Sequence, residues 1–454
     1  MRRRKLFGGL AALFLAVTTV VTVAAQPAQA AAGFTVSGGR ILDANGNNFV
    51  MRGVNHAHTW YADKLGSLAD IKALGANTVR VVLSSGDRWT RNDAANVTTV
   101  INTCKANKLI CVLEVHDTTG YGEDSAATTL AKAVDYWISI KSALAGQERY
   151  VILNIGNEPY GNTNAAAWTA DTKSAITRLR AAGFEHSIMV DAPNWGQDWQ
   201  FVMRDNAASV FAADPQRNTI FSIHMYGVFD TAAEITDYLG RFRTAGLPIV
   251  VGEFGHNHSD GNPDEDTILA TAQAQGIGYL GWSWSGNGGG VEYLDLVTNF
   301  NAAALTSWGE RLFNGANGIK ATSREASVYG GTTPPTDPTS PSTPPPSPTT
   351  PPPAGKQCTA TYAMTGSWGS GFQGAVTVTA GSAAISSWTV TWTWPSGQQF
   401  TNTWNATVTS SGSAITARSL NYNGSLPAGG GTSWGFTASS TGTNTAPTAT
   451  CSAA

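Results

Sequence analysis

Eight short apolar runs rich in β-branched residues recur between residues 34 and 330, and helix-like segments such as LADIKALGA and ITRLRAAGF separate them. Near-continuous apolar strands that alternate with helices are typical of a parallel sheet covered on both faces. Eight such units in about 300 residues predict an α/β fold of the (β/α)8, or TIM barrel, type. An open doubly wound sheet is the alternative, but it fits the strand count less well and lacks a glycine-rich dinucleotide motif after its first strand. The runs begin at Phe49, Thr78, Leu109, Tyr150, Ser187, Thr219, Leu247 and Gly278.

The polar residues of these runs stand mostly at the carboxyl-terminal ends, whereas Arg80 lies inside the second run. In a (β/α)8 barrel these ends form the mouth in which active sites lie. We therefore expect side chains from distant parts of the chain to converge on one cleft. The strand-end residues are Asn55, His56, His116, Asp117, Asn157, Glu158, His224, Tyr226, Glu253 and Trp282.

Two strand ends carry a glutamate, Glu158 after the fourth run and Glu253 after the seventh. Cleavage of a glycosidic bond needs one protonated carboxyl group for the leaving oxygen and one carboxylate to attack or to activate water. A structural ion pair is the alternative for a single strand-end glutamate. The surrounding His, Arg, Asn and Trp side chains favour the catalytic interpretation of this pair.

Several motifs resemble those of glycoside hydrolase family 5. NEP at 157–159 and GEFG at 252–255 contain the two glutamates, and GVNHAHTWY, NTVRVVLS, LEVHDTTGY, FSIHMY and GWSWSGNG resemble the bacterial endo-β-1,4-mannanases of that family. NEP alone also occurs in cellulases, whereas the ordered set is specific. The resemblance spans residues 34–320 and implies a retaining enzyme that cleaves internal bonds of mannans, galactomannans and glucomannans.

The resemblance also implies roles for individual residues. Glu158 resembles the acid/base and Glu253 the nucleophile, and Arg80 and Tyr226 are expected to hold Glu253 in its ionised form. Asn157 is expected to bind the 2-hydroxyl group of the sugar at the cleavage point. The remaining residues expected to surround the sugars are Trp60, His116, His224 and Trp282. For the two histidines the alternative is a core histidine satisfied by the backbone, and for Trp282 it is packing in the barrel.

Two other functions stay open at this point. An endo-β-1,4-glucanase, that is a cellulase, would use the same two-glutamate mechanism. A non-catalytic carbohydrate-binding protein is more remote, because both glutamates and their supporting residues are present. The mechanism requires no cofactor. An acidic loop at Asp260 and Asp264–Asp266 could hold a structural Ca²⁺ ion, although a solvated acidic turn is the better interpretation.

Composition divides the chain into four parts. Residues 1–30 combine a basic start, an apolar stretch and an A-x-A motif, which predicts a secretory signal peptide and an extracellular protein. A membrane anchor is the alternative that this motif disfavours. Residues 31–331 form the predicted catalytic barrel. Eleven of the 24 residues at 332–355 are proline, which predicts a polyproline II linker, and residues 356–454 form a separate module.

The C-terminal module has short alternating strands separated by turn residues, which predicts a β-sandwich. It contains six tryptophans but no Asp, Glu or His that could perform acid–base chemistry. Its motifs GSWGSGFQG, WTVTWTWPSGQQ, NTWNATV and NYNGSLPAGG resemble a family 2 carbohydrate-binding module. The resemblance implies a flat face of Trp368, Trp404 and Tyr422 that stacks on an insoluble polysaccharide, with cellulose as the first candidate.

The remaining expectations concern disulfides and partners. Cys358 and Cys451 bracket the C-terminal module and are predicted to be bridged, as are Cys104 and Cys111, for which two buried thiols are the alternative. The chain has 28 Lys and Arg against 31 Asp and Glu, a net charge of −3, which argues against a nucleic-acid partner. We expect a monomer that has no membrane partner.

Overall fold

The computed structural model describes residues 33–331 and, in the C-terminal module, residues 357–368, 371–381, 383–394, 397–420, 423–426, 430–440, 447 and 449–454. The predicted signal peptide and proline-rich linker lie outside the described residues. The described residues separate into two compact units, one before and one after the linker in the sequence. Within the described ranges, no helix combines the length and the apolar character that crossing a membrane requires.

A closed barrel of eight parallel strands forms the first unit, and each of the eight apolar runs supplies one strand. The strands of this unit are β1 Thr35–Ser37, β2 Arg40–Leu42, β3 Arg52–His56, β4 Thr78–Leu83, β5 Ile110–Val115, β6 Val151–Asn154, β7 Ile188–Asp191, β8 Thr219–Met225, β9 Ile249–Phe254 and β10 Gly278–Gly281. Strands β3 to β10 pair in chain order, and β10 closes the barrel on β3. The predicted barrel is therefore confirmed, whereas the antiparallel β1–β2 hairpin was not predicted.

Helices follow most of the barrel strands and pack their apolar faces against them. They are α1 Ser67–Ala73, α2 Ala94–Ala106, α3 Leu130–Ser139, α4 Lys141–Leu144, α5 Trp168–Ala181, α6 Val202–Ala213, α7 Ala232–Thr244, α8 Glu265–Gln275, α9 Ser307–Asn314 and α10 Ile319–Thr322. Side-chain caps help to define where several helices begin. Asp93, Thr129 and Thr231, for example, each accept a hydrogen bond from the backbone N–H three residues further on.

The barrel strands carry apolar side chains near their beginnings and polar ones on the same face near their ends. Side chains two positions apart on a strand share a face. Val112 and Glu114 therefore lie on the same face of β5, and Ile152 and Asn154 lie on the same face of β6. The early positions join the β1–β2 hairpin in one buried apolar cluster, whose members include Phe34, Ile41, Phe49, Met51, Ile110, Val112, Ile152, Met189, Ile220, Val250 and Leu280. The polar end positions are thereby left for the mouth of the barrel.

Two antiparallel sheets form the second unit, as the sequence predicted. Their strands are β11 Cys358–Trp368, β12 Gly371–Ala380, β13 Trp388–Thr393, β14 Gln399–Trp404, β15 Thr407–Ser411, β16 Ala414–Arg418, β17 Gly431–Ser439 and β18 Thr450–Ala453. One sheet has the order β11-β12-β17-β14 and the other β15-β16-β13-β18. The buried core of this unit contains four of its tryptophans, Trp388, Trp392, Trp394 and Trp434.

The predicted binding face of the module is described in part. Trp404, at the end of β14, keeps 38 % of its surface exposed, which suits a ring that stacks on a sugar. Tyr422 and the side chain of Trp368 lie outside the described residues. The predicted bridge between Cys358 and Cys451 is present and joins β11 of one sheet to β18 of the other.

The second predicted disulfide is absent from the described barrel, since Cys104 and Cys111 are free thiols. Cys104 lies in the last turn of α2 and Cys111 in β5, and both are fully buried. Burial raises the pKa of the Cys111 thiol, and a hydrogen bond with Cys104 adds to this. The thiolate is the species that forms a disulfide, so this apolar environment disfavours the bridge.

Candidate active site

Glu158 and Glu253 meet in the mouth of the barrel. Glu253 lies near the end of β9, and Glu158 follows the end of β6 by four residues. Oxygen atoms of the two carboxyl groups lie within 4.8 Å of each other. Glu158 has a φ of 40°, a left-handed conformation that is unusual for a residue other than glycine. Backbone strain of this kind is commonly found where a side chain must point into a functional site.

Arg80 uses all five of its N–H groups as hydrogen-bond donors in this mouth. The side chain comes from the middle of β4 and is fully buried. A guanidinium group has five donors in a fixed planar arrangement, so Arg80 fixes the relative positions of its partners. The acceptor oxygens belong to Asn154 at 2.8 Å, Asn55 at 2.9 Å, Glu253 at 2.6 Å, Asn157 at 2.7 Å and Asp191 at 2.9 Å.

The charge of Arg80 is balanced by buried carboxylates. Burial opposes the charged guanidinium, but the carboxylates of Glu114, Asp191 and Glu253 outweigh this effect and raise the pKa of Arg80. The pKa of Asp191 shifts downward, opposite to that of Arg80. Burial would raise its pKa, but the charges of Arg80 and His224 lower the pKa of Asp191 to about 2. The buried ion pairs are therefore charged at neutral pH.

His224 stands between three carboxyl groups. Its Nδ1 lies 2.8 Å from Glu158 Oε1 and 3.6 Å from Glu253 Oε2. Its Nε2 lies 3.3 Å from Asp191 Oδ2. Burial opposes protonation of the ring, but the charges of Glu253 and Asp191 outweigh burial and raise the pKa of His224 to about 10. At neutral pH, His224 is therefore a cation that donates a hydrogen bond to Glu158.

Both carboxylate oxygens of Glu253 are held by donors. Arg80 donates to Oε1, and the hydroxyl group of Tyr226 donates to Oε2 at 3.1 Å. Burial raises the pKa of Glu253 above its ordinary value, and the charges of His224 and Arg80 offset this rise only in part. Burial also raises the pKa of Tyr226, which keeps its hydroxyl group protonated as a donor. The predicted contacts of Arg80 and Tyr226 with Glu253 are thus both formed.

An aromatic wall lies beside the two carboxyl groups. His116 stacks on Trp282 with ring centroids 5.6 Å apart, and its Nδ1 lies 2.8 Å from Glu114 Oε1. Burial opposes protonation of His116, but Glu114 outweighs it and raises the pKa of the ring. Trp60 packs edge-on against His116 and against Trp89, and 38 % of its surface is exposed. Exposed and partly exposed rings of this kind suit the apolar faces of sugars.

Comparison with known families agrees with the geometry. Residues 42–288 match the family described as cellulase (glycosyl hydrolase family 5). This chain belongs to glycosyl hydrolase family 5. Residues 358–453 match the family described as a cellulose binding domain.

Similar proteins include mannan endo-1,4-β-mannosidases and a solved β-mannanase. The mannosidase of Streptomyces lividans is 69 % identical over 66 % of this chain and 79 % of its own. That of Cellvibrio japonicus is 54 % identical over 73 % of this chain and 75 % of its own. The crystal structure of a β-mannanase from Streptomyces thermolilacinus with mannohexaose has a TM-score of 0.65 and 64 % identity, covering 66 % of this chain and 98 % of that one.

Three side chains in the mouth of the barrel form the one group, among the described residues, whose spacing would suit a metal ion. It consists of Glu158, His224 and Glu253. A histidine binds a metal through a neutral nitrogen. Since His224 is protonated at neutral pH, its Nδ1 is occupied as a donor to Glu158. In this protonation state the ring of His224 offers no lone pair to a metal ion.

The acidic loop considered for Ca²⁺ has other partners in the structure. Asp264 accepts a hydrogen bond from the backbone N–H of Thr267 and caps α8. Asp266 pairs with Arg311 at 2.5 Å. Asp260 accepts three hydrogen bonds, from Gln197, Gly227 and His258. A Ca²⁺ ion would have to compete with these donors.

Three buried polar residues at the mouth of the barrel were not predicted from the sequence. Glu114, Asn154 and Asp191 lie at the ends of β5, β6 and β7 and bind His116 or Arg80 directly. The signal was present, because each follows an apolar residue two positions earlier on its strand. The structure also brings the predicted site residues together in one mouth, namely Trp60, Arg80, His116, Asn157, Glu158, His224, Tyr226, Glu253 and Trp282.

Proposed function

We propose that this chain is a secreted, retaining endo-β-1,4-mannanase that hydrolyses internal bonds of mannans, galactomannans and glucomannans. The observation that carries the proposal is the buried Glu158–Glu253 pair, whose oxygens lie within 4.8 Å of each other. Retaining glycosidases hold their carboxyl groups roughly 5–5.5 Å apart, whereas inverting enzymes leave about 6.5–9.5 Å for a water molecule. Mannan is favoured as the substrate because the similar proteins are named for it.

In the first step, Glu253 attacks the anomeric carbon and forms a covalent bond to the sugar. The bond from that carbon to the glycosidic oxygen breaks, and Glu158 donates its proton to this oxygen. Arg80 and Tyr226 supply donors that hold Glu253 ready for the attack. The shortened chain that carries the new hydroxyl group then leaves.

In the second step, Glu158 is a carboxylate and removes a proton from a water molecule. The water oxygen attacks the anomeric carbon, and the bond to Glu253 breaks. His224 donates to Glu158 throughout and stabilises the charge that this carboxyl group acquires after the first step. The protonated Glu158 and the free Glu253 carboxylate are then restored.

The other residues of the mouth would bind the sugar. Asn157 accepts a hydrogen bond from Arg80 at its Oδ1 and donates from its Nδ2 to the hydroxyl group of Thr119. These contacts hold the amide in place, and its role would be to bind the sugar 2-hydroxyl group. Trp282 would support the ring at the cleavage point, and its Nε1 is held by Asn287 at 2.9 Å.

The C-terminal module would hold the enzyme on an insoluble polysaccharide, for which cellulose is our proposal. The match to a cellulose binding domain and the exposed ring of Trp404 support it. Plant mannans coat cellulose fibrils, so attachment to cellulose would keep the barrel near its substrate. We also propose that the protein acts as an extracellular monomer without a cofactor.

The decisive experiment compares initial rates of reducing-sugar release from galactomannan, linear mannan and carboxymethylcellulose. We expect the rate on both mannans to be far above that on carboxymethylcellulose. The Glu253→Ala variant should lose activity by roughly three orders of magnitude or more, because it lacks the nucleophile. A higher rate on carboxymethylcellulose would indicate an endoglucanase, and an active Glu253→Ala variant would refute the mechanism.

A further inference from the structure

Asp260 connects three separate loops beside the catalytic mouth. Its Oδ2 accepts a hydrogen bond from Gln197 Nε2 at 2.7 Å. Its Oδ1 accepts from the backbone N–H of Gly227 at 3.1 Å and lies 2.6 Å from His258 Nδ1. Gln197 follows β7, Gly227 follows β8, and Asp260 and His258 follow β9. One carboxylate therefore joins the loops after three consecutive strands of the barrel.

The loop held through Gln197 reaches the catalytic residues. The carbonyl oxygen of Gly196 accepts a hydrogen bond from the backbone N–H of His224 at 2.9 Å. A Cβ atom on Gly196 would lie 2.6 Å from the His224 ring, so the loop touches this ring directly. The same ring donates to Glu158. A displacement of the loop would therefore move the His224 ring and change its hydrogen bond to Glu158, the proposed acid/base.

A second contact leads from Asp260 toward Glu253. His258, held by Asp260, packs on the ring of Tyr226 with centroids 4.5 Å apart. Tyr226 donates to Glu253. Asp260 thus supports the neighbours of both catalytic glutamates, although it contacts neither of them in the described structure.

The loop held by Asp260 has a strained backbone. Within residues 194–201, four residues other than glycine have positive φ values, namely Asn194, Trp195, Asp198 and Phe201. Such conformations are unfavourable for residues with a side chain and persist only where the surroundings impose them. Asp198 secures the far end of the loop, because it accepts hydrogen bonds from Met203 N and Tyr238 Oη. Asp260 secures the near end through Gln197.

These contacts surround a cavity of about 630 Å³ that opens on Glu158. Trp195, Trp199, His258 and Asp260 are among its lining residues. The described residues that line this cavity do not include those of the aromatic wall, namely Trp60, His116 and Trp282. The cavity therefore lies apart from that wall. The acid/base protonates the oxygen of the departing sugar. The cavity beside Glu158 is therefore placed to receive the departing part of the polysaccharide.

We propose that Asp260 is a positioning residue that clasps the three loops and so shapes the part of the cleft that binds the leaving-group sugars. This inference rests on the proposed function, since it assumes a polysaccharide substrate. The clasp would matter most when the leaving group is itself a sugar. An aryl leaving group departs with little help from bound sugars or from the proton of Glu158.

The test compares two substrates in the full-length Asp260→Ala protein. We expect kcat/KM for mannohexaose to fall about tenfold or more, as expected for the loss of hydrogen bonds to a charged group. With an aryl β-mannobioside, kcat/KM should fall clearly less than with mannohexaose, because only the support of Tyr226 beside Glu253 is lost and the leaving-group side of the cleft is not needed. The matched control is Asp237→Ala, which removes an exposed carboxylate paired with Arg241 on α7 and should affect neither substrate.

The outcomes separate the possibilities. An equal loss on both substrates, or no loss on either, would overturn the proposed role of Asp260. If Asp260→Ala does not fold, Asp260→Asn keeps the shape and should show the same preference with a smaller loss. A wild-type protein that cleaves neither mannan substrate would refute the proposed function instead.

A second measurement tests the clasp without any substrate. In Asp260→Ala, the backbone amides of residues 194–201 should exchange hydrogen faster than in the wild type, whereas those of the strand β5 should be unchanged. Unaltered exchange in residues 194–201 would overturn the clasp whatever the enzyme cleaves.

Discussion

Arg80, His224 and Asp191 show how individual residues create the site. The three side chains are fully buried and charged, an arrangement that proteins tolerate only when the charges are paired. Each group alters the ionisation of its neighbour, so that Asp191 stays a carboxylate and His224 a cation. The same ion pairs direct donors toward Glu158 and Glu253.

The first prediction at this scale concerns Asp191→Asn. This change leaves Arg80 and His224 with one carboxylate fewer, and removal of one member of a buried ion pair commonly costs about 3–5 kcal/mol. We expect the free energy of unfolding to fall by that order, as measured by urea denaturation followed by tryptophan fluorescence. Asp237→Asn, on the exposed face of α7, is the control that should change little. Equal stability of the two variants would show that the buried network is not needed for folding.

At the scale of elements, the polar residues at the carboxyl-terminal ends of the apolar runs predicted most of the site. Glu158, Glu253, His116 and Tyr226 were all identified as residues at the ends of apolar runs. Glu114, Asn154 and Asp191 were missed because the apolar runs continue for several residues beyond them, and only polar residues at the ends of the runs were selected. The hairpin β1–β2 was missed for a different reason, since strands of three residues leave too short a pattern to recognise.

The disulfide of the C-terminal module gives a prediction for elements. Cys358 and Cys451 are 93 positions apart and join the two sheets. Closing a loop of that length stabilises a fold by about 4–5 kcal/mol on the chain-entropy model. We expect the double variant Cys358→Ser, Cys451→Ser to lower the melting temperature of the module in calorimetry of the full chain. The transition of the barrel should not move, and a shift of both transitions would contradict separate folding units.

At the scale of the whole molecule, buried histidines make stability depend on pH. Burial lowers the pKa of His56 and that of His186 to about 4, from an ordinary value of 6.5. Between these pH values the unfolded chain binds a proton that the folded protein excludes. Stability is therefore lost as the pH falls from 6.5 to 4, and above 6.5 these groups have no effect.

The prediction that follows uses His186→Gln. One pKa unit corresponds to about 1.4 kcal/mol, so His186 should destabilise the folded protein by roughly 2–3 kcal/mol at pH 4.5 relative to pH 7. We expect the variant to lose that much less stability than the wild type between these pH values in urea unfolding. Between pH 7 and 8 the two proteins should change in parallel. Parallel loss down to pH 4.5 would mean that His186 is protonated in the folded state.

The two cysteine pairs show where local sequence stops being informative. Both pairs have a plausible spacing, yet Cys358 and Cys451 are bridged and Cys104 and Cys111 are not. The sequence does not reveal that α2 and β5 enclose the second pair in an apolar core. Burial of that kind depends on the whole fold.

The sequence by itself predicted the eight barrel strands of this protein and the two glutamates that meet in its mouth. Apolar periodicity specifies the barrel strands, and the chemistry of glycosidic cleavage requires a pair of carboxyl groups, so both can be inferred locally. Only the tertiary structure decided which buried charges meet. The five partners of Arg80 come from four other strands or their loops, and the contacts of Asp260 come from three loops. Such distances depend on barrel closure and strand register, which no local pattern encodes.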